Sequence, residues 1–250
     1  MKVIVFGGTG MIGLGVVREC LLDPEVTQVV IVARTAEAMN DVRALRDVPP
    51  ASFAKIEERI LPDVTRLGAD VLAGCHACFF CLGVSSAGMS EQDYRRITYD
   101  LTIDIAKLLV KASPQTTFIY VSGHGTDATE TGSTMWARVK GQTENALLKM
   151  PFHAVCMFRP GLVRPLHGIR SKTPLYRAAY LLLAPFYALL ALLAPQLTTT
   201  TEAVGRAMLR VAKGGPPARI VESQEINRLA RGSHSASTAI GTTDSRNGFA

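Results

Sequence analysis

The sequence predicts an α/β fold with a doubly wound parallel sheet and a small C-terminal helical portion. Three observations carry that expectation. Residues 2–34 read as strand, glycine-rich turn, helix and strand. Strand-like and helix-like runs then alternate along the chain without internal repeats. Finally, 250 residues with 48% apolar content are enough to bury one sizeable core.

Residues 3–6 form a β-branched and aromatic run without charge, the pattern of a strand covered on both faces. Gly7, Gly10 and Gly13 follow at three-residue spacing, a helical pattern covers 11–22, and a second apolar run covers 29–33. The whole unit is roughly 30 residues long, the size of a mononucleotide-binding half. A sharp strand-to-helix turn, close approach of a pyrophosphate and tight helix packing each call for a residue without Cβ. Unpaired N–H groups at the helix start, with the helix dipole behind them, would face the anion. The fold is therefore expected to be Rossmann-like, with Gly7, Thr9, Gly10, Met11, Ile12 and Gly13 holding a dinucleotide.

The second strand ends at Ala33-Arg34-Thr35, with no acid before Glu37. A chain that binds NAD usually carries Asp or Glu there, about 20 residues beyond the loop. The Arg34 guanidinium instead matches a 2′-phosphate, so NADP is expected, with NAD the alternative.

Residues 36–46 are polar and helix-compatible, and Pro49-Pro50 ends them. A third strand is expected over 54–61, its charges suiting a sheet edge. In a dinucleotide fold the turn after it reaches the adenine. Asp63, beside Val64, is thus either an acceptor for the exocyclic amine or a plain turn aspartate. A short helix over 67–73 and a fourth strand over 77–82 follow. Leu82 and Gly83 are expected against the cofactor, because ligands of open parallel sheets sit beyond the strand C-termini.

A loop over 85–90 leads to a long amphipathic helix over 91–112 and a fifth strand over 117–121, which ends at Ser122-Gly123-His124-Gly125. A helix over 139–150 and a sixth strand over 154–158 complete the alternation, with Arg159-Pro160-Gly161 beyond. A capped helix over 202–213 and a last short strand over 219–221 close one domain spanning 1–229. Residues 230–250 read as a disordered tail. Within the domain, 172–200 reads as an apolar helical insertion. Its run over 175–195 is divided by Pro185 and Pro195, too short on either side for a span of about 20 residues. It suits a helical lid or a homodimer surface, the alternative being peripheral contact with a membrane.

Composition excludes some classes. The net charge is +6, but the 27 basic residues are scattered, so nucleic acid is not an expected partner. A small-molecule or lipid-like substrate is. Cys75, Cys78 and Cys81 are spaced like metal ligands, yet in a strand residues three apart point to opposite faces. Buried thiols and no metal are expected. A core strand at the very start argues against a cleavable leader, which makes a cytoplasmic location the default expectation.

Several segments together resemble the atypical short-chain dehydrogenase/reductase superfamily and its NAD-dependent epimerase/dehydratase relatives. They are Gly7-Gly8-Thr9-Gly10-Met11-Ile12-Gly13, Tyr120-Val121-Ser122, Lys140-Gly141 with Glu144, and Phe158-Arg159-Pro160-Gly161-Leu162-Val163. The likeness is nearest to small bacterial members of the oxidoreductase branch related to the human Tat-interacting protein, which Thr199-Thr200-Thr201-Glu202 and Gly205-Arg206-Ala207-Met208 also resemble. The resemblance implies a nicotinamide cofactor, a nicotinamide-side loop at Pro160, Gly161 and Val163, and a Tyr–Lys pair four residues apart on one helix face. Lys140 matches the lysine, expected at the nicotinamide ribose, and Ser122 the serine at the preceding strand end. The tyrosine position holds Trp136, whose indole N–H donates a hydrogen bond but exchanges no proton near neutral pH. His124, Tyr120 or water held by Ser122 would then supply the proton. A catalytically silent NADP(H)-binding regulator is the competing reading.

Overall fold

The computed structural model describes residues 1–170 and 192–232. The expected tail and nearly all of the apolar run over 175–195 lie outside the described residues.

Seven parallel strands form the main sheet: β1 (Lys2–Phe6), β2 (Gln28–Ala33), β3 (Ile56–Ile60), β4 (Ala77–Phe80), β5 (Thr117–Val121), β6 (Ala154–Arg159) and, after two strands of a separate sheet, β9 (Ile220–Glu222). Their order is β3-β2-β1-β4-β5-β6-β9, the doubly wound arrangement whose chain reversal falls between β1 and β4. The fold is Rossmann-like, as the sequence predicts, and the charged β3 is an edge strand. β7 (Leu162–Arg164) and β8 (Thr198–Thr200) pair in parallel as the second sheet.

Alternation along each strand divides the core into two. Val3, Val5, Ile31, Phe79, Ile119 and Phe158 face one cluster, which helices α1 (Met11–Leu22), α7 (Thr201–Gly214) and α8 (Ser223–Arg231) cover. Ile4, Phe6, Cys78, Phe80, Phe118, Tyr120 and Met157 face the other. That side is covered by α3 (Ala69–Leu72), α5 (Leu101–Ala112) and α6 (Met135–Leu147). On this second face the rings of Phe6, Phe80 and Phe118 follow one another across three strands at centroid distances of 5.3 and 5.8 Å.

Several boundaries move for identifiable reasons. The expected helix over 36–46 is a 3-10 turn, Ala36–Met39, and a single turn α2 (Asn40–Arg43), because only Met39 and Val42 are buried there. β4 stops at Phe80, where its neighbour β1 ends opposite it. The long helix over 91–112 is interrupted: α4 (Glu91–Arg95) passes through a π turn, Arg96–Asp100, into α5. Helix α6 begins at Met135, four residues before the first position of its apolar pattern, which draws Trp136 into its first turn. β7, β8 and α8 were not expected. Three-residue strands carry no usable alternation, and α8 buries only Ser223 and Ile226 of its nine residues.

Candidate functional site

The turn between β1 and α1 is built to leave its backbone bare. Gly7 adopts φ +75, and a Cβ there would lie 2.6 Å from the Leu82 nitrogen, so the turn rests directly on the chain leaving β4. At Gly13 a Cβ would lie 2.1 Å from the Gly7 oxygen, so helix and turn close on each other at a distance only glycine allows. Gly10 is the N-cap of α1, with no side-chain cap bond and no acid in the first turn. The helix therefore presents free N–H groups and an unneutralised positive dipole end at the carboxyl edge of the sheet. A cradle of this shape and polarity fits a dinucleotide's pyrophosphate.

The neighbouring positions fall around it. Arg34 is exposed just beyond β2 and makes no ion pair among the described residues. Leu82 is partly buried and Gly83 exposed beyond β4, beside Gly7. Asp63 is exposed and Val64 buried in the turn after β3. Asp63 accepts from the Thr65 N–H at 3.1 Å and its hydroxyl at 2.6 Å, which holds the carboxyl below its ordinary range. That engagement gives it a turn-capping role through Oδ1.

A second group of side chains gathers at the carboxyl ends of β5, β6 and β9. The buried Ser122 donates both its N–H, at 2.9 Å, and its hydroxyl, at 3.3 Å, to the Phe158 carbonyl. Lys140 Nζ donates to the Ser122 carbonyl. Burial lowers the Lys140 pKa to about 8, with the Glu144 carboxylate pulling it partly back up. Helix α6 reaches that depth because its next residue is Gly141, where a Cβ would fall 1.7 Å from the Asp127 oxygen.

One turn beyond Lys140, Glu144 is 1% exposed and takes a two-point bond from Arg159, at 3.0 Å from Nε and 2.5 Å from Nη2. Arg159 also lies 3.9 Å from the Glu222 carboxylate, and Glu222 Oε2 lies 3.3 Å from His124 Nδ1. His124 is 52% exposed, and its N–H donates to the Pro160 carbonyl at 2.9 Å. The Trp136 ring passes beside the same loop, 3.6 Å from where a Cβ on Gly125 would stand. Sequence reasoning missed the roles of Arg159, Glu144 and Glu222. Arg159 and Glu222 end two separate strands and Glu144 lies within α6, so nothing in their spacing links them.

Other expectations are corrected or refined. Tyr120 cannot supply a proton to a ligand: it is 1% exposed inside the second core cluster, and burial drives its pKa far upward. Gly161 donates its N–H to Ser223 Oγ at 2.8 Å, and Val163 is buried within β7, so the Pro160–Val163 stretch is anchored rather than loose. Cys78 and Cys81 pack in opposite core clusters, as their spacing predicts. Burial lifts the thiols of Cys75, Cys81 and Cys156 to about 11, 12 and 12.

No family model matches the sequence. Among curated relatives, the protein named "Protein FMP52, mitochondrial" from Chaetomium globosum is 26% identical, covering 91% of this chain and 96% of its own. Among solved structures, the MalC reductase/Diels-Alderase of Malbranchea aurantiaca aligns with a TM-score of 0.61 at 21% identity, over 91% of this chain and 95% of its own. The UDP-glucuronic acid 4-epimerase of Bacillus cereus, solved in complex with NAD, aligns with a TM-score of 0.62 at 15% identity, over 88% and 77%. These likenesses agree with the Rossmann-like fold. The FMP52 names also overturn the cytoplasmic expectation, since those relatives are called mitochondrial. A strand at the start of a domain reports its packing, not its address. Among the described residues no helix is long and apolar enough to cross a membrane.

Proposed function

We propose that this chain binds NADP(H) and acts as an oxidoreductase of the short-chain dehydrogenase/reductase type, working on a small organic or lipid-like carbonyl or alcohol. The observation that carries this reading is the bare, uncapped N-terminus of α1 over the Gly7–Gly13 turn, pressed against Leu82. Bound NADP(H) supplies or accepts the hydride. The backbone from Gly7 through Thr9, Gly10, Met11 and Ile12 to Gly13 holds the pyrophosphate, and Arg34 selects the 2′-phosphate. Leu82 and Gly83 flank the adenine ribose or the pyrophosphate, with the capped turn at Asp63 and Val64 on the adenine side. Lys140 serves the nicotinamide ribose, its amine fixed by the Ser122 carbonyl. Pro160, Gly161 and Val163 form the nicotinamide-side wall.

Reductases and epimerases among the structural neighbours, and the NAD named with one of them, support a dinucleotide. The sequence motifs favour the bacterial branch related to the Tat-interacting protein, and the FMP52 names support a mitochondrial address. The test is NADPH oxidation against a panel of aldehydes, ketones and quinones, falling in Lys140→Ala.

Trp136 favours a second reading. An indole in the tyrosine's place suits a catalytically silent NADP(H)-binding regulator, with 175–195 as its membrane or partner contact. Tight NADPH binding without oxidation across the panel would decide for it.

A further inference from the structure

We propose that His124, oriented by Glu222, delivers the proton that Trp136 cannot, to the oxygen of a carbonyl substrate; this deepens the oxidoreductase reading and rests on it. The geometry is specific. His124 stands two residues past Ser122, whose carbonyl takes the Lys140 amine, so its imidazole rises from the loop that Lys140 anchors. Its main chain is fixed to Pro160 at the end of β6, and its Nδ1 faces Glu222 at the end of β9. Among the described residues its Nε2 has no hydrogen-bond partner, and half of the side chain is open to solvent. A histidine with one nitrogen held by a carboxylate and the other free has its tautomer and ring direction set.

The carboxylate is itself held. Arg159 lies between Glu222 and the buried Glu144, so the orienting group is backed by an ion pair within the protein. Competing proton donors near this strand end are otherwise engaged. Tyr120 is sealed in the core, Ser122 Oγ donates to Phe158, and Lys140 Nζ donates to Ser122. Trp136, whose ring lies beside Gly125, walls the same loop without titrating.

The step balances as a reduction. The carbonyl carbon gains the hydride of NADPH, which is oxidised to NADP⁺, and a C–H bond forms. The π pair of the carbonyl moves onto its oxygen, which takes the Nε2 proton and becomes a hydroxyl. The imidazolium is left neutral and regains its proton from water. The charged groups facing His124 are Glu222 from β9, with Arg159 from β6 behind it, and Lys140 from α6 through Ser122.

Carbethoxylation of the full-length protein by diethyl pyrocarbonate, mapped by peptide mass spectrometry, reads this without depending on turnover. Saturating NADPH, its binding shown separately by calorimetry, should slow modification of His124 by about fivefold or more while leaving His153 unchanged. Glu222→Gln, which removes the carboxylate facing Nδ1, should lower kcat about tenfold with KM and NADPH affinity kept. With 4-nitrobenzaldehyde, cyclohexanone and 9,10-phenanthrenequinone as probes, His124→Gln should reduce kcat by about a hundredfold with NADPH affinity kept. NADPH that binds but leaves His124 equally reactive overturns the proposal, as does an unchanged kcat. Wild-type silence toward all three probes with NADPH bound also overturns it, while sparing the binding reading. Failure to bind NADPH at all ends both.

Discussion

The carboxyl edge of the sheet is built from opposite materials at its two working regions. Around β1 and α1 it is almost all backbone: glycines, a helix end without cap or acid, and a turn pressed onto Leu82. Around β5, β6 and β9 it is almost all side chain, with Lys140, Glu144, Arg159, Glu222 and His124 joined through bonds and ion pairs. The first region offers fixed dipoles to an anion and has nothing to titrate. The second carries charge and protons, which is what selection of a substrate and proton transfer require. A dinucleotide laid along this edge would meet the bare region with its phosphates and the charged one with its reacting end.

The comparison is tested hardest at its buried ion pair. Glu144→Ala leaves the Arg159 guanidinium, which is 11% exposed, with only the Glu222 carboxylate at 3.9 Å, and should cost about 3 kcal/mol in urea unfolding. A loss below 1 kcal/mol would mean that the charged region is not an integrated network.

How much of each region was legible follows from the same contrast. The first is local: Gly7, Gly10, Gly13 and Arg34 lie within one βαβ unit, and their spacing is the message. The second is assembled by topology. Residues 122, 140, 144, 159 and 222 come together only because β5, β6 and β9 are neighbours, and no spacing encodes that. Lys140 and Ser122 were found through a resemblance; Glu222 had no such guide. The strands of the main sheet were read to within two residues at their boundaries, and the five inner ones are nearly pure apolar runs because both their faces are covered. Polar α8 and the three-residue β7 and β8 owe their form to tertiary contacts, which local pattern does not carry.

On the backbone side, Arg34→Asp should weaken NADPH by about 1.5–3 kcal/mol, roughly ten- to a hundredfold, and NADH far less in paired calorimetric titrations. Equal losses would remove Arg34 from the phosphate. Gly13→Ala places a Cβ against the Gly7 oxygen and should cost about 1–3 kcal/mol of stability, with cofactor affinity falling beside it. An unchanged melting temperature would show that the turn is loose.

Lys140 sharpens the charged side. Its amine titrates near 8 in the folded chain against an ordinary 10.5, so between those values the unfolded chain binds more protons and stability rises with pH. The stability of wild type relative to Lys140→Met should therefore improve from pH 7 to pH 10; a flat difference would contradict the burial of that charge. The smallest effect belongs to neither region. The Arg43–Glu58 pair, 53% and 32% exposed, should contribute less than about 1 kcal/mol, as Arg43→Ala would show by thermal melting.

The most direct test is a calorimetric titration of the pure protein with NADPH and NADH. Saturable binding of NADPH, tighter than that of NADH and lost in a Gly7→Val variant that still melts cooperatively, is the expected result. No heat and no uptake of either coenzyme at millimolar concentration would contradict the claim that the first turn is a cradle for paired phosphates.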